Sequence, residues 1–493
     1  MVTPSEGPAL CARDAGNMAA AVSCVARCAR RSAWTALLER SRPRFLCTAA
    51  GGSGLLSALH RRGVLKEVFP ESAAHFELPQ LLQSGPQCVY CGFDPTADSL
   101  HVGNLLAIVG LLHFRQAGHD VIALIGGATA RIGDPSGRSA EREPLSAEAL
   151  ERNVRGVRRS LQQVFGHHEL LAGAGAPRLG AVTVLDNAAW YRGWDAVDFL
   201  SSVGRHFRMG TMLSRHGVQS RLRSPHGMSL TEFCYQLFQG YDFYHLQQQH
   251  GCRIQLGGSD QLGNLMSGHD LAHKMTGQEV YGLTVPLVTS TTGDKLGKSA
   301  GNAVWLNRDR TSPFELYQYF VRQPDANVDR QVYLRLFTFL PEPEVDHLME
   351  QHSLDPGKRL AQRRLAAEVT KLVHGKEGLE SARRCTSVLY HDSLQALEQM
   401  SDAELQELFR EAPFLELLLE PGTTVLEACR QARAVPDGGR GFALVTEGAV
   451  RINHSRVTNP EQVLIPGQHI LSNGLTLLRV GKRNYYILKW LNL

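Results

Sequence analysis

Several short stretches of the chain gather side chains able to act on a phosphate or to hold an amino acid. His101-Val102-Gly103-Asn104 puts two polar side chains on one turn, at the head of an apolar run with helical spacing, Leu105 to Phe114. A helix start offers unpaired N–H groups and a positive dipole end, which stabilise a phosphate. Gly103 lets a base or phosphate approach the backbone. Taken alone, this stretch is equally an ordinary strand-to-helix crossover with a surface histidine. Gly293-Asp294-Lys295-Leu296-Gly297-Lys298-Ser299 presents two lysines three apart on a glycine-bearing loop, an arrangement suited to clamping a triphosphate. Tyr235, Gln239 and Asp242 fall on one helix face, where burial without partners costs about 1–3 kcal/mol per polar group. The surrounding Phe and Leu side chains favour a polar pocket there. Asp260, in the turn Gly257-Gly258-Ser259-Asp260-Gln261, suits paired ribose hydroxyls. The Gly133 to Arg142 loop adds Asp134, Arg138 and Arg142.

These residues need elements to hold them. β-prone runs at Val89 to Phe93, Asp120 to Ile125, Ala181 to Leu185, Cys252 to Leu256 and Leu283 to Thr289 alternate with helical stretches. That alternation predicts an α/β, doubly wound parallel sheet with ligands at the carboxyl ends of its strands. A phosphate-loop hydrolase fits less well, because Thr292 stands at the first glycine position and Asn302 to Trp305 does not continue as a helix. Trp190 to Leu222 reads as a helical, mixed-charge insertion, either an interface or a solvated excursion. Ser312-Pro313-Phe314-Glu315 is a capped helix start, and the chain stays helical to about Glu420. A helix at Val425 to Ala432 precedes short β runs at 448–453, 468–471, 475–480 and 485–490.

The 493 residues imply two to four domains, and no apolar run is long enough to span a membrane. The net charge of +4 is uneven: residues 1–50 carry +4, residues 425–493 carry +5, and the body between is acidic. The amino-terminal 60 residues, rich in Ala, Arg and Ser, have the composition of an organellar transit peptide and linker, and Met18 is an alternative start. The basic carboxyl-terminal segment, with Asn453, His454, Tyr485 and Tyr486, suggests an RNA-facing surface. The ten cysteines form no disulfide framework. Cys88 and Cys91 point to opposite faces of one strand, so no metal site is expected.

His101-Val102-Gly103-Asn104 resembles the His-Ile-Gly-His signature of class I aminoacyl-tRNA synthetases, with Asn104 where a second histidine is usual. Lys295 to Ser299 resembles the Lys-Met-Ser-Lys-Ser motif of the same class. From about residue 65 to its end the chain is similar to the bacterial-type tyrosyl-tRNA synthetases, and the Arg-rich leader matches their mitochondrial members. The resemblance implies activation of L-tyrosine by ATP, with Mg2+ as the nucleotide's counter-ion, followed by transfer to the 3′ end of tRNA(Tyr) in the mitochondrial matrix. No protein-bound metal or organic cofactor is implied.

It implies roles for individual residues. Tyr90 and Asp242 would hold the phenolic hydroxyl; Asp134, Tyr235 and Gln239 the ammonium; Gln255 and Gln261 would lie near the carboxylate. Gly92, Asp94, Gly103, Gly258, Asp260 and Lys298 would line the nucleotide. His101, Asn104, Lys295 and Lys298, assisted by Arg138 and Arg142, would stabilise the transferring phosphate. The implied organisation is a Rossmann-type catalytic domain at 61–310, with a homodimer-forming insertion near 185–225. A helical anticodon-binding domain at 311–424 and an α+β RNA-binding module at 425–493 would follow. A nucleotidyltransferase of the same fold and a non-catalytic RNA-binding protein remain as rivals.

Overall fold

The computed structural model describes residues 54–493 apart from 139, 173–177, 289–297, 300–301, 329–331, 391–392, 410–411, 482–483 and 493. Lys295 and nearly all of the expected leader lie outside the described residues. Six strands form the main sheet: β1 (Glu67–Phe69), β2 (Cys88–Phe93), β3 (Asp120–Ile125), β4 (Val182–Asp186), β5 (Cys252–Gly258) and β6 (Tyr281–Val285). Their order is β1-β6-β5-β2-β3-β4, with β2 to β6 parallel and β1 antiparallel on the edge. The chain winds outward from β2 through β3 to β4, then returns to the other side of β2 with β5. The switch point therefore falls between β2 and β5, where such sheets leave a crevice beyond their carboxyl ends.

Helices cover both faces. α1 (Val102–Gln116) is apolar on nearly every side, so it is buried under the sheet. α2 (Ala147–Ala172) buries Asn153, Val157, Leu161, Val164 and His168, a three-to-four-residue stripe within a charged sequence. α3 (Leu230–His250) starts where the Ser229 hydroxyl accepts from the Glu232 N–H, and ends at Gly251 with φ +60°, a left-handed cap that glycine adopts without strain. It packs beside α4 (Leu262–Thr276). The insertion expected at Trp190 to Leu222 consists of short helices, Ala196–Ser202, Met209–Ser214 and His216–Leu222.

The expected capping box heads α5 (Pro313–Val321), which packs on α6 (Leu360–Tyr390), a helix kinked at Gly375. The main core runs without a break from β2 and α1 into Leu316, Phe320, Phe337 and Leu365, so the expected boundary at 310–311 is not a break between cores. Residues 55–60, expected to belong to the leader and linker, instead fall in the helix Leu55–Arg61. Its Leu56 and Leu59 share one face and bury it in that same core.

After the short antiparallel pair β7 (Lys298–Ser299) and β8 (Asn302–Ala303), a second sheet combines β9 (Phe414–Leu417), β10 (Val450–Ile452), β11 (Ser455–Val457), β12 (Leu475–Val480) and β13 (Asn484–Trp490), in the order β11-β10-β12-β13-β9. The sheet takes its edge strand from before residue 425, because β9 pairs with β13 in parallel. The β run expected at 468–471 is a turn instead. The backbone turns at Gly467, φ +85°, and the His469 Nδ1 accepts from the Ile465 N–H at 3.0 Å. No helix among the described residues is long and apolar enough to cross a membrane.

Candidate active site

The carboxyl ends of β2 and β5 open into a cleft of about 740 Å³. Its walls include Tyr90, Gly92, Asp94, His101, Gly103, Asn104, Asp134, Arg138, Arg142, Tyr235, Gln239, Asp242, Gln255, Gly258, Asp260 and Gln261. Only the two loop lysines of the expected set are missing from these walls. Lys295 lies outside the described residues, and Lys298 is placed by its backbone pairing with Ala303 alone.

At the floor, the Asp242 carboxylate meets only donors. Asn187 Nδ2 donates to one oxygen at 3.0 Å and Trp190 Nε1 to the other at 2.9 Å, while the Tyr191 hydroxyl shares its proton between that second oxygen at 2.9 Å and the Phe238 carbonyl at 2.7 Å. Burial pushes the Asp242 carboxyl up to about 7, against the pull of these three hydrogen bonds. Nearby, the Tyr90 hydroxyl is buried without a partner, and so is the Gln255 amide oxygen. Burial, reinforced by the Asp242 charge, raises the Tyr90 phenol well above the usual range and keeps it a neutral donor.

Asp94 stands at the middle of the cleft. Its oxygens accept from the Thr129 and Tyr235 hydroxyls, both at 2.8 Å. Burial and the nearby Asp134 push its carboxyl up to about 6. A β-carbon on Gly126 would lie 1.9 Å from the Asp94 carboxylate, so only glycine lets the acid rest on this backbone. Asp134, also raised by burial, accepts from Gln261 Nε2 at 2.7 Å and from the Ser136 N–H at 3.0 Å. The fully buried Asn187 ties these groups together, donating to both Thr129 and Asp242. Several carboxylates this close, all disfavoured by burial, would be relieved by a bound cation.

The opposite end is a helix start, with its unpaired N–H groups and positive dipole end. At the start of α1, His101 Nδ1 accepts from the Gly103 N–H at 3.0 Å, which assigns the neutral ring's proton to Nε2. Asn104 Oδ1 accepts from the His101 N–H at 3.1 Å, completing a reciprocal cap. The amide at 104, unusual beside the synthetase signature, is therefore used to close the helix start. Arg138 and Arg142 line the same cleft. One cavity thus runs from an acidic, hydrogen-bonding floor to a phosphate-ready helix terminus.

Thr129, Asn187, Trp190 and Tyr191 are absent from the sequence-derived set. Asn187 ends the β4 run, but Trp190 and Tyr191 read as the start of the insertion. Nothing in their spacing indicates that they reach across to Asp242.

Residues 83–390 match the family described as tRNA synthetases class I (W and Y), and the chain belongs to that family. The relatives sharpen the class. The chain is 63% identical over 448 residues to the human "Tyrosine--tRNA ligase, mitochondrial", covering 90% of this chain and 93% of that one. It is 49% identical to the Drosophila melanogaster protein of the same name, covering 88% and 94% respectively. Among solved structures, a C-terminally truncated Aspergillus nidulans mitochondrial tyrosyl-tRNA synthetase aligns with a TM-score of 0.62 at 33% identity, covering 69% of this chain and 95% of that one.

Proposed function

We propose that this chain joins L-tyrosine to tRNA(Tyr) in two steps at the cleft between β2 and β5. A tyrosine carboxylate oxygen attacks the α-phosphorus of ATP; the α–β phosphoanhydride breaks, pyrophosphate leaves and tyrosyl-adenylate remains. A ribose hydroxyl at the tRNA 3′ end then attacks the acyl carbonyl, and AMP leaves. The reading rests on the cleft floor, where a carboxylate fixed by three donors lies beside a buried, unpartnered phenol. That pair complements one hydroxyl on a flat ring, with Tyr90 donating to it and Asp242 accepting from it.

Asp134, Tyr235 and Gln239 receive the ammonium, with Gln255 and Gln261 beside the carboxylate. Gly92, Asp94, Gly103, Gly258 and Asp260 accommodate the nucleotide, Asp260 taking the ribose. His101, Asn104, Arg138, Arg142, Lys295 and Lys298 act on the phosphates, which bring their own Mg2+. Catalysis here is positioning and electrostatics, with no general base. Rejection of phenylalanine follows, since it would leave the buried Tyr90 hydroxyl without a partner and bring Asp242 no further donor, an effect of which tyrosyl-tRNA synthetases are themselves the standard case.

The helical segment and the basic carboxyl-terminal module take the tRNA. Two copies associate through the insertion near 185–225, whose Val197 and Met209 are 73% and 59% exposed. The Arg-rich leader directs the chain to the mitochondrial matrix. Tyrosine-dependent exchange of pyrophosphate into ATP tests the central reading; exchange that tryptophan drives equally well would overturn it.

A further inference from the structure

Four side chains stand in file from the surface to the cleft. Asp98 Oδ1 meets Arg310 Nε at 2.6 Å. The Arg310 guanidinium lies over the Trp305 ring, 4.6 Å from its centroid. The Trp305 and His101 rings meet edge to face, with centroids 6.2 Å apart and planes at 69°. Trp305 and His101 line the cleft, whereas Arg310 and Asp98 do not.

The backbone locks the same register. Val102 N–H donates to the Val304 carbonyl at 2.9 Å, Leu306 N–H to the Leu100 carbonyl at 2.8 Å, and Trp305 N–H to the Thr311 hydroxyl at 2.9 Å. His101 and Trp305 thereby form an antiparallel bridge. A cation over an indole holds the ring by its negative face, and the edge-to-face contact then restricts the imidazole beyond. Nδ1 is engaged by Gly103, and the Trp305 ring bounds the imidazole on a second side.

We propose that Arg310, outside the cleft, is a positioning residue for the activation step: through Trp305 it aims the His101 imidazole at the transferring phosphate. The inference rests on the activation chemistry above and deepens it. Arg310 is not among the residues lining the cleft, so its effect falls on the rate of the step that uses His101. Tyrosine binding, on the opposite floor, is untouched.

The test is tyrosine-dependent pyrophosphate exchange by the full chain carrying R310Q, R310K, or R310Q combined with H101A. R310Q should lower kcat about tenfold with KM for tyrosine unchanged, since small misplacements of a catalytic group are costly. R310K, which keeps a cation over the indole, should recover most of the loss. In the H101A background, R310Q should add nothing, because its route to the reaction is gone. Wild-type kcat in R310Q would overturn the proposal, as would the same tenfold loss on top of H101A, the mark of a general surface staple. Lack of exchange in the wild type would instead sink the activation reading itself.

Discussion

Replacing Tyr90 with phenylalanine should move stability and binding in opposite directions. The Tyr90 hydroxyl is 1% exposed with its residue and has no hydrogen-bond partner. A buried, unsatisfied polar group costs about 1–3 kcal/mol, so its removal leaves the free protein as stable as before or more so. The same hydroxyl is the donor offered to the substrate's phenolic oxygen, and a neutral hydrogen bond contributes roughly 0.5–1.5 kcal/mol. Y90F should therefore raise KM for tyrosine about twofold to tenfold and narrow the preference for tyrosine over phenylalanine. The assay pairs ligand-free unfolding with pyrophosphate exchange on both amino acids. The reasoning fails if Y90F unfolds much more easily than the wild type without ligand, or if its KM for tyrosine is unchanged.

Acidity should split the same two properties. Asp242 and Asp94 are pushed up to about 7 and about 6 by burial, above the ordinary carboxylate value they regain on unfolding. Their contribution to stability is thus present at acid pH and lost as pH rises through these values, so the unliganded protein should resist unfolding better at pH 5.5 than at pH 8 as far as these two groups decide. Tyrosine affinity, which needs the anions, should instead weaken below pH 7 in a fluorescence titration; affinity flat from pH 8 to pH 5 would count against the assignment. N104A removes the acceptor for the His101 N–H and should destabilise the helix start by about 0.5–1.5 kcal/mol while slowing exchange, whereas N104H should match or exceed the wild-type rate. An N104A enzyme with wild-type exchange would remove Asn104 from the site. Val197→Asp with Met209→Asp should convert a dimer into a monomer in light scattering; an unchanged mass would place the interface elsewhere.

Where chemistry sits next to a strand end, the sequence was legible. Tyr90 to Asp94, Gln255 to Gln261 and the α1 start each pair a β run with a glycine or proline stop, and the structure brings all three to one cleft. The Tyr235/Gln239/Asp242 face was legible because helical periodicity alone aligns it. Illegible were contacts made across the sheet: Thr129 to Asp94, and Asn187, Trp190 and Tyr191 to Asp242, partners separated by 35 to 55 residues. Such pairings leave no local spacing. Short edge strands escaped for a related reason. Glu67–Phe69 and Phe414–Leu417 are too brief to show alternation, and their pairing partners lie far along the chain. The long α2 helix hid behind its charge, since its apolar stripe is only one residue in three or four.

The central claim is that the floor formed by Tyr90 and Asp242 selects tyrosine beside an ATP site. Pyrophosphate exchange by the wild-type chain, measured with tyrosine, phenylalanine and tryptophan in parallel, tests it most directly. The structure-based account requires exchange with tyrosine alone at saturating ATP, and its loss in D242A. Equal exchange with tryptophan, or tyrosine-driven exchange that survives D242A at the wild-type rate, would contradict it.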